Sequence, residues 1–170
     1  FVKPANLGSS VGISKVYNQE ELIRGIKLAS NFDQRIIIEE NVTARELECA
    51  VLGKKTMRVS TVGEIKHQSD WYDYETKYSQ GLSETLIPAP LNPSITKKIQ
   101  ELSLMACKAI NVYGMARVDF FLKEDTNEIL INEINTLPGF TTQSIYPLLW
   151  EASGLGIEKL VSMLIDTASE

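Results

Sequence analysis

Two apolar stretches in the last third of the chain carry charges that an apolar strand does not tolerate alone. Ala116-Arg117-Val118-Asp119-Phe120-Phe121-Leu122 reads as one strand. Ile129-Leu130-Ile131-Asn132 reads as the buried start of another that continues through Glu133-Ile134-Asn135, and Asp125-Thr126-Asn127 reads as the hairpin turn between them. Side chains two residues apart on a strand share a face, so Arg117 goes with Asp119 and Glu133 with Asn135. Paired antiparallel, the strands bring Asp119, Glu133 and Asn135 around one point, with Arg117 beside it. Two carboxylates and an amide oxygen suit a hard cation such as Mg2+. Charged groups are costly to bury unless they are paired or metal-bound, and that cost marks these residues as a candidate site.

The chain has 170 residues, enough for one domain or two small lobes sharing a core. Its hydrophobic fraction of 44% and charged fraction of 23% are those of a soluble globular protein. No apolar run approaches the roughly 20 residues needed to span a bilayer, so no membrane role is expected. A net charge of −5 argues against a general nucleic-acid surface. Cys49 and Cys107 lie in apolar periodic stretches and read as small core residues. Nothing suggests a disulfide framework, which fits the cytoplasm. The chain opens on Phe1 inside a strand pattern, without Met or a signal peptide, and reads as a piece of a longer protein.

Phe1-Val2-Lys3-Pro4 reads as a short strand stopped by proline. Gly8-Ser9-Ser10-Val11-Gly12 follows, then a second strand from about Ile13. A strand–glycine loop–strand hairpin can fold N–H groups and hydroxyls over phosphates, although GxxxxGK[ST] is absent. The same residues also make an ordinary hairpin turn with a surface lysine. Asn18 is a helix N-cap with Glu20 and Glu21 in the first turn, and Leu22, Ile26 and Ala29 form the apolar stripe. Arg35 to Ile38 is a β-branched run leading into Glu39-Glu40, and residues 46–52 form a strand that Glu46 opens. Carboxylates in such places are usually solvated, and Glu46 is the better ligand candidate among them.

Met57 to Lys66 reads as one or two strands broken at Gly63, and His67 as a solvated histidine. Residues 69–83 form a loop of about fifteen residues with four aromatics, the length of a functional lid or a packed Ω-loop. Lys77 near its tip is the natural phosphate contact if the loop closes over a nucleotide. Glu84 to Ile87 is a strand, and Asn92-Pro93 opens a helix to about Asn111. Its buried face is Ile95, Ile99, Leu102, Ala106, Ala109 and Ile110, with Met105 as core filler. Thr136 to Ser144 is an irregular loop whose hydroxyls can serve a carboxylate. Helices near Tyr146–Ser153 and Ile157–Ala168 close the chain, the second with Ile157, Leu160, Val161, Leu164, Ile165 and Ala168 on its apolar stripe.

The pattern is α+β with antiparallel strands, without regular βα spacing or GxGxxG. A phosphate-type loop with Lys3, a lid with Lys77 and a metal cluster carrying Arg117 together describe ATP–Mg2+ chemistry. With one histidine and no activated nucleophile in view, the residues need only position substrates and stabilise charge, as phosphoryl transfer requires.

Four stretches, FVKPANLGSSVGISKV, IIIEENVTARELE, YDYETKY and ARVDFF…INEINTLPGFTTQSIYP, resemble in order and spacing the D-alanine–D-alanine ligases of the ATP-grasp superfamily. They extend over nearly the whole chain. The resemblance implies an ATP-grasp fold, with antiparallel sheets flanked by helices and nucleotide bound between two lobes. Residues 1–42 would be the second half of the central ATP-binding subdomain. Residues 43–170 would be the C-terminal domain with lid loop 69–83 and the metal site.

On this resemblance Lys3 contacts ATP phosphates, and Ser9 and Ser10 belong to the loop over the reaction centre. Glu39, Glu40 and Val42 lie where adenine binds, position 40 acting through its backbone, and Glu46 where the ribose is held. Lys77 reaches the phosphates from the lid. Asp119, Glu133 and Asn135 bind two Mg2+ ions, with Mn2+ as the alternative. Arg117 and the Gly139 N–H stabilise the oxyanion, and Ser144 and Ile145 meet the second substrate. A Tyr at position 78 accompanies D-alanine as that substrate, where a Phe accompanies D-lactate.

The implied reaction joins two D-alanines through an acyl phosphate, for peptidoglycan precursor synthesis. The parent enzyme is expected to be a homodimer. Its missing N-terminal part supplies residues for the first D-alanine, so this piece alone is expected to be inactive. Two alternatives stay open: another ATP-grasp carboxylate–amine ligase, and a non-catalytic nucleotide-binding module.

Overall fold

The computed structural model describes residues 1–7, 10–67 and 83–169. They fall into two compact units, one built on Phe1–Thr43 and one on Ala44–Lys66 with Glu84–Glu170.

In the first unit β1 (Val2–Pro4) pairs antiparallel with β2 (Ile36–Ile38), with Lys3 opposite Ile37. Helix α1 (Gln19–Ala29) begins where the Asn18 side chain accepts the Glu21 N–H at 3.0 Å. Glu21 answers by accepting the Tyr17 N–H at 2.9 Å, a reciprocal cap that satisfies two backbone donors. The strand expected from Ile13 is absent. Val2 and Ser14 instead make an isolated antiparallel bridge, with both backbone bonds at 2.9 Å. The next pair along would be Pro4 with Gly12. Pro4 has no N–H, and Gly12 sits at φ +74°, so the ladder cannot continue.

The second unit is a five-stranded sheet in the order β5-β4-β3-β6-β7. Its strands are β3 (Arg45–Gly53), β4 (Met57–His67), β5 (Ser83–Leu86), β6 (Gly114–Leu122) and β7 (Ile129–Asn135). β3 runs antiparallel to both β4 and β6, and β7 antiparallel to β6. Helices α2 (Pro93–Ala109), α3 (Ile145–Ala152) and α4 (Ile157–Ala168) complete it.

Alternation on β6 separates two faces. Ala116, Val118, Phe120 and Leu122 join Leu47, Cys49 and Val51 in one buried cluster with Ile99 and Cys107 of α2. The opposite face has two parts. Ala50 and Leu52 pack with Tyr146, Leu149, Trp150 and Leu160 from α3 and α4. Farther along β3, the same face carries charge.

Several expectations change with the packing. β4 is continuous through Gly63, where an added Cβ would lie 3.0 Å from Leu149 Cδ2 and 3.2 Å from Ile87 Cγ1. This glycine allows close packing and does not break the strand. On α2 the buried line is Ile99, Ser103 and Cys107, at i, i+4, i+8. Ser103 satisfies its hydroxyl on the Ile99 carbonyl at 2.8 Å, so a polar residue serves on the core face. Met105 lies on the far side at 64% exposure and is not core filler, and Ala109 and Ile110 are also exposed. β7 is an edge strand, so its Ile131 is exposed where a buried strand was expected. On α4, Leu160 is buried, but Ile157, Val161 and Ile165 are exposed.

Candidate active site

The charged part of the sheet is a row set by strand register. Glu48 on β3 stands opposite Asp119 on β6, and Asp119 stands opposite Glu133 on β7. Arg117 stands opposite Asn135. Directly opposed residues share a face, so the expected set of Arg117, Asp119, Glu133 and Asn135 lies together, with Glu48 added.

Arg117 grips Asp119 with two hydrogen bonds. Nε donates to Oδ1 and a terminal guanidinium nitrogen donates to Oδ2, both at 2.7 Å. The Glu48 Oε1 lies 3.3 Å from the same Nε. Glu48 is buried at 5% exposure, and its Oε2 has no hydrogen-bond partner among the described residues. Burial, with Asp119 adding repulsion against the pull of Arg117, pushes the Glu48 carboxyl up to about 8. Burial also pushes Asp119 up to about 6, with Arg117 opposing and Glu133 adding like charge from hydrogen-bonding reach. Burial works against charged Arg117, but its bonds to Asp119 and the fields of Glu48, Asp119 and Glu133 outweigh it and raise its pKa.

Asp119, Glu133 and Asn135 offer hard oxygens, the two carboxylates lie close enough to repel each other, and such a set fits a divalent cation. Asn135 still has a free lone pair, since its Oδ1 accepts only the Leu137 N–H, at 3.1 Å, among the described bonds. Among the described residues no three His, Cys, Asp or Glu side chains close around a point. The fit therefore rests on Asp119 and Glu133 with the amide oxygen of Asn135.

The loop after β7 leads into α3. Ser144, at its N-cap, takes the Thr141 N–H on its Oγ at 2.9 Å and lies 2.9 Å from Thr141 Oγ1. A Cβ at Gly139 would fall 2.9 Å from Ser144 Oγ, so a side chain there would push away the hydroxyl that accepts the Thr141 N–H. Ile145 opens α3 and packs partly buried against the Trp150 cluster. Glu46 lies on the same strand face as Glu48, opposite Phe121.

In the first unit Lys3 makes a 2.8 Å ion pair with Glu39. Glu39 also closes a backbone pair with Phe1 at 2.8 and 2.9 Å. Glu40 is exposed and Val42 half-buried, while Ser10 adopts φ +60°. Ser9, Lys77 and Tyr78 lie outside the described residues, as does nearly all of the expected lid.

Glu48 is the residue that sequence reasoning passed over. The signal was there: in Arg45-Glu46-Leu47-Glu48-Cys49 it sits inside an apolar strand two residues from Glu46. The cost of burying a lone carboxylate applies to it as to Asp119.

A family model described as D-ala D-ala ligase C-terminus matches residues 1–166. The chain belongs to this family. A curated D-alanine–D-alanine ligase from Prochlorococcus marinus (strain NATL1A) is 62% identical over all of this chain and 49% of its own length. Among solved structures, a D-Ala:D-Ser ligase from Enterococcus faecalis superposes with a TM-score of 0.88 at 39% identity, over 98% of this chain and 48% of its own. A D-alanine–D-alanine ligase from Bacillus anthracis complexed with ATP superposes with a TM-score of 0.80 at 28% identity, over 99% of this chain and 52% of its own. The chain thus spans about half the length of the curated relatives it matches. No helix among its described residues is long and apolar enough to cross a membrane.

Proposed function

We propose that this chain is the ATP-using C-terminal part of an enzyme that ligates two D-alanines into D-alanyl-D-alanine for cell-wall precursors. The observation that carries the reading is the register row of Asp119 and Glu133, with Asn135 and with Arg117 bonded in place. The family match and the likeness to a ligase complexed with ATP support it from outside the site.

On this reading Lys3 and Lys77 serve the phosphates, Ser9 and Ser10 belong to the loop over the reaction centre, Glu39, Glu40 and Val42 serve the adenine, and Glu46 serves the ribose. Asp119, Glu133 and Asn135 hold two Mg2+ ions, which supply neutralisation of charge on the transferred phosphoryl group. The carboxylate of the first D-alanine attacks the γ-phosphorus of ATP, giving an acyl phosphate and ADP. The amine of the second D-alanine then attacks the acyl carbon, loses a proton and expels phosphate. Negative charge grows at one place in both steps. Arg117, kept charged by its carboxylate neighbours, stabilises it there with the Gly139 N–H. Ser144 and Ile145 stand at the N-terminus of α3, where a substrate carboxylate is favoured. Tyr78 selects D-alanine as the second substrate.

The test uses the full-length protein with ATP, Mg2+ and D-alanine, following phosphate and dipeptide, with D-lactate and D-serine in parallel. D-Alanyl-D-alanine formation lost in Glu133→Gln supports the reading. A D-alanyl-D-serine product would keep the chemistry and overturn the substrate, an outcome the D-Ala:D-Ser ligase likeness makes worth measuring. Nucleotide binding without turnover on any of the three would overturn the ligase reading.

A further inference from the structure

Arg117 occupies both carboxylate oxygens of Asp119, at 2.7 Å each. A cation taking Asp119 as a ligand must share or displace those bonds. Glu48 is placed to receive what is released. It is in register with Asp119 on the neighbouring strand and on the same face, with Oε1 already 3.3 Å from Arg117 Nε. Its Oε2 is buried and has no partner among the described residues. A buried carboxyl oxygen without a partner is costly, and the Arg117 guanidinium is a donor close to the same side chain.

We propose that Glu48 is a positioning residue that takes over Arg117 when Asp119 turns its oxygens to a cation. The guanidinium then stays charged, bonded and aimed, although its first partner is drawn away. This rests on the reading of Asp119 as a cation ligand. Glu48 itself does not bind the cation; it removes Arg117 as the cation's competitor.

The experiment measures Mn2+ affinity by electron paramagnetic resonance in the full-length protein with a non-hydrolysable ATP analogue. Loss of binding in Asp119→Asn tests the ligand reading by itself, and intact binding there overturns both it and the proposal. Glu48→Gln keeps the side-chain volume and is expected to weaken Mn2+ binding about tenfold, the scale of outer-shell effects on metal sites. With Arg117→Met already present, Glu48→Gln is expected to cost nothing further, because the competitor is gone. Unchanged affinity in Glu48→Gln overturns the proposal. So does an equal loss with and without Arg117, which would make Glu48 a ligand or a structural group. If Glu48→Gln fails to fold, Glu48→Asp enters the same cycle under the same criteria.

Discussion

Arg117→Met keeps most of the side-chain length and removes the cation facing Glu48 and Asp119. Taking one partner from a buried ion pair costs about 3–5 kcal/mol, because the remaining group must stay buried without its partner or take up a proton. The Arg117 and Asp119 side chains keep 18% and 13% exposure, so water recovers some of that loss. The lower end, about 3 kcal/mol, is the expectation. With a urea slope of about 2 kcal/mol per molar, the unfolding midpoint falls by about 1.5 M. The measurement is urea unfolding of the full-length protein at fixed pH, in EDTA and in Mg2+. Mg2+ should recover part of the loss, since a divalent cation returns positive charge to the same carboxylates. An Arg117→Met protein as stable as wild type in EDTA would refute the pair energetics. A midpoint that ignores Mg2+ would refute the fit of the row to a cation.

Tyr146→Phe deletes a buried hydrogen bond from the phenol to the Val51 carbonyl at 3.0 Å, and should cost about 1 kcal/mol in denaturant unfolding; no change would mean water or a neighbour replaces it. Gly63→Ala puts a methyl against Leu149 and Ile87 at 3.0 and 3.2 Å, and should cost about 1–3 kcal/mol by the same assay, whereas a neutral result would show that both side chains give way. Burial raises the thiols of Cys49 and Cys107 from an ordinary 9.0 to about 11. The folded state therefore holds those protons longer, and their contribution to stability is intact below pH 9.0 and lost as pH rises toward about 11. Replacing both with alanine should flatten stability across that window, and an unchanged pH slope would refute the assignment.

The β6–β7 hairpin was legible in the sequence because two rules agree there. Alternation gives the faces, and the cost of burying charge says which face must hold a partner or a ligand. Asn18, Asn92 and Pro93 were legible for a similar reason, since cap chemistry is local. What the sequence concealed depends on neighbours that arrive from elsewhere in the chain. Gly63 looks like a breaker until Leu149 is seen above it. Met105 looks like core until Ser103 is found bonded to its own helix on the face that α2 buries. Glu48 is the opposite case. Its strand and its charge are both visible in Glu46-Leu47-Glu48-Cys49-Ala50-Val51-Leu52, and the cost of burying charge holds there as it does at Asp119. In an antiparallel sheet the register makes such a row continuous, Glu48 to Asp119 to Glu133. A carboxylate in any apolar strand therefore raises the question of what stands opposite it on both sides.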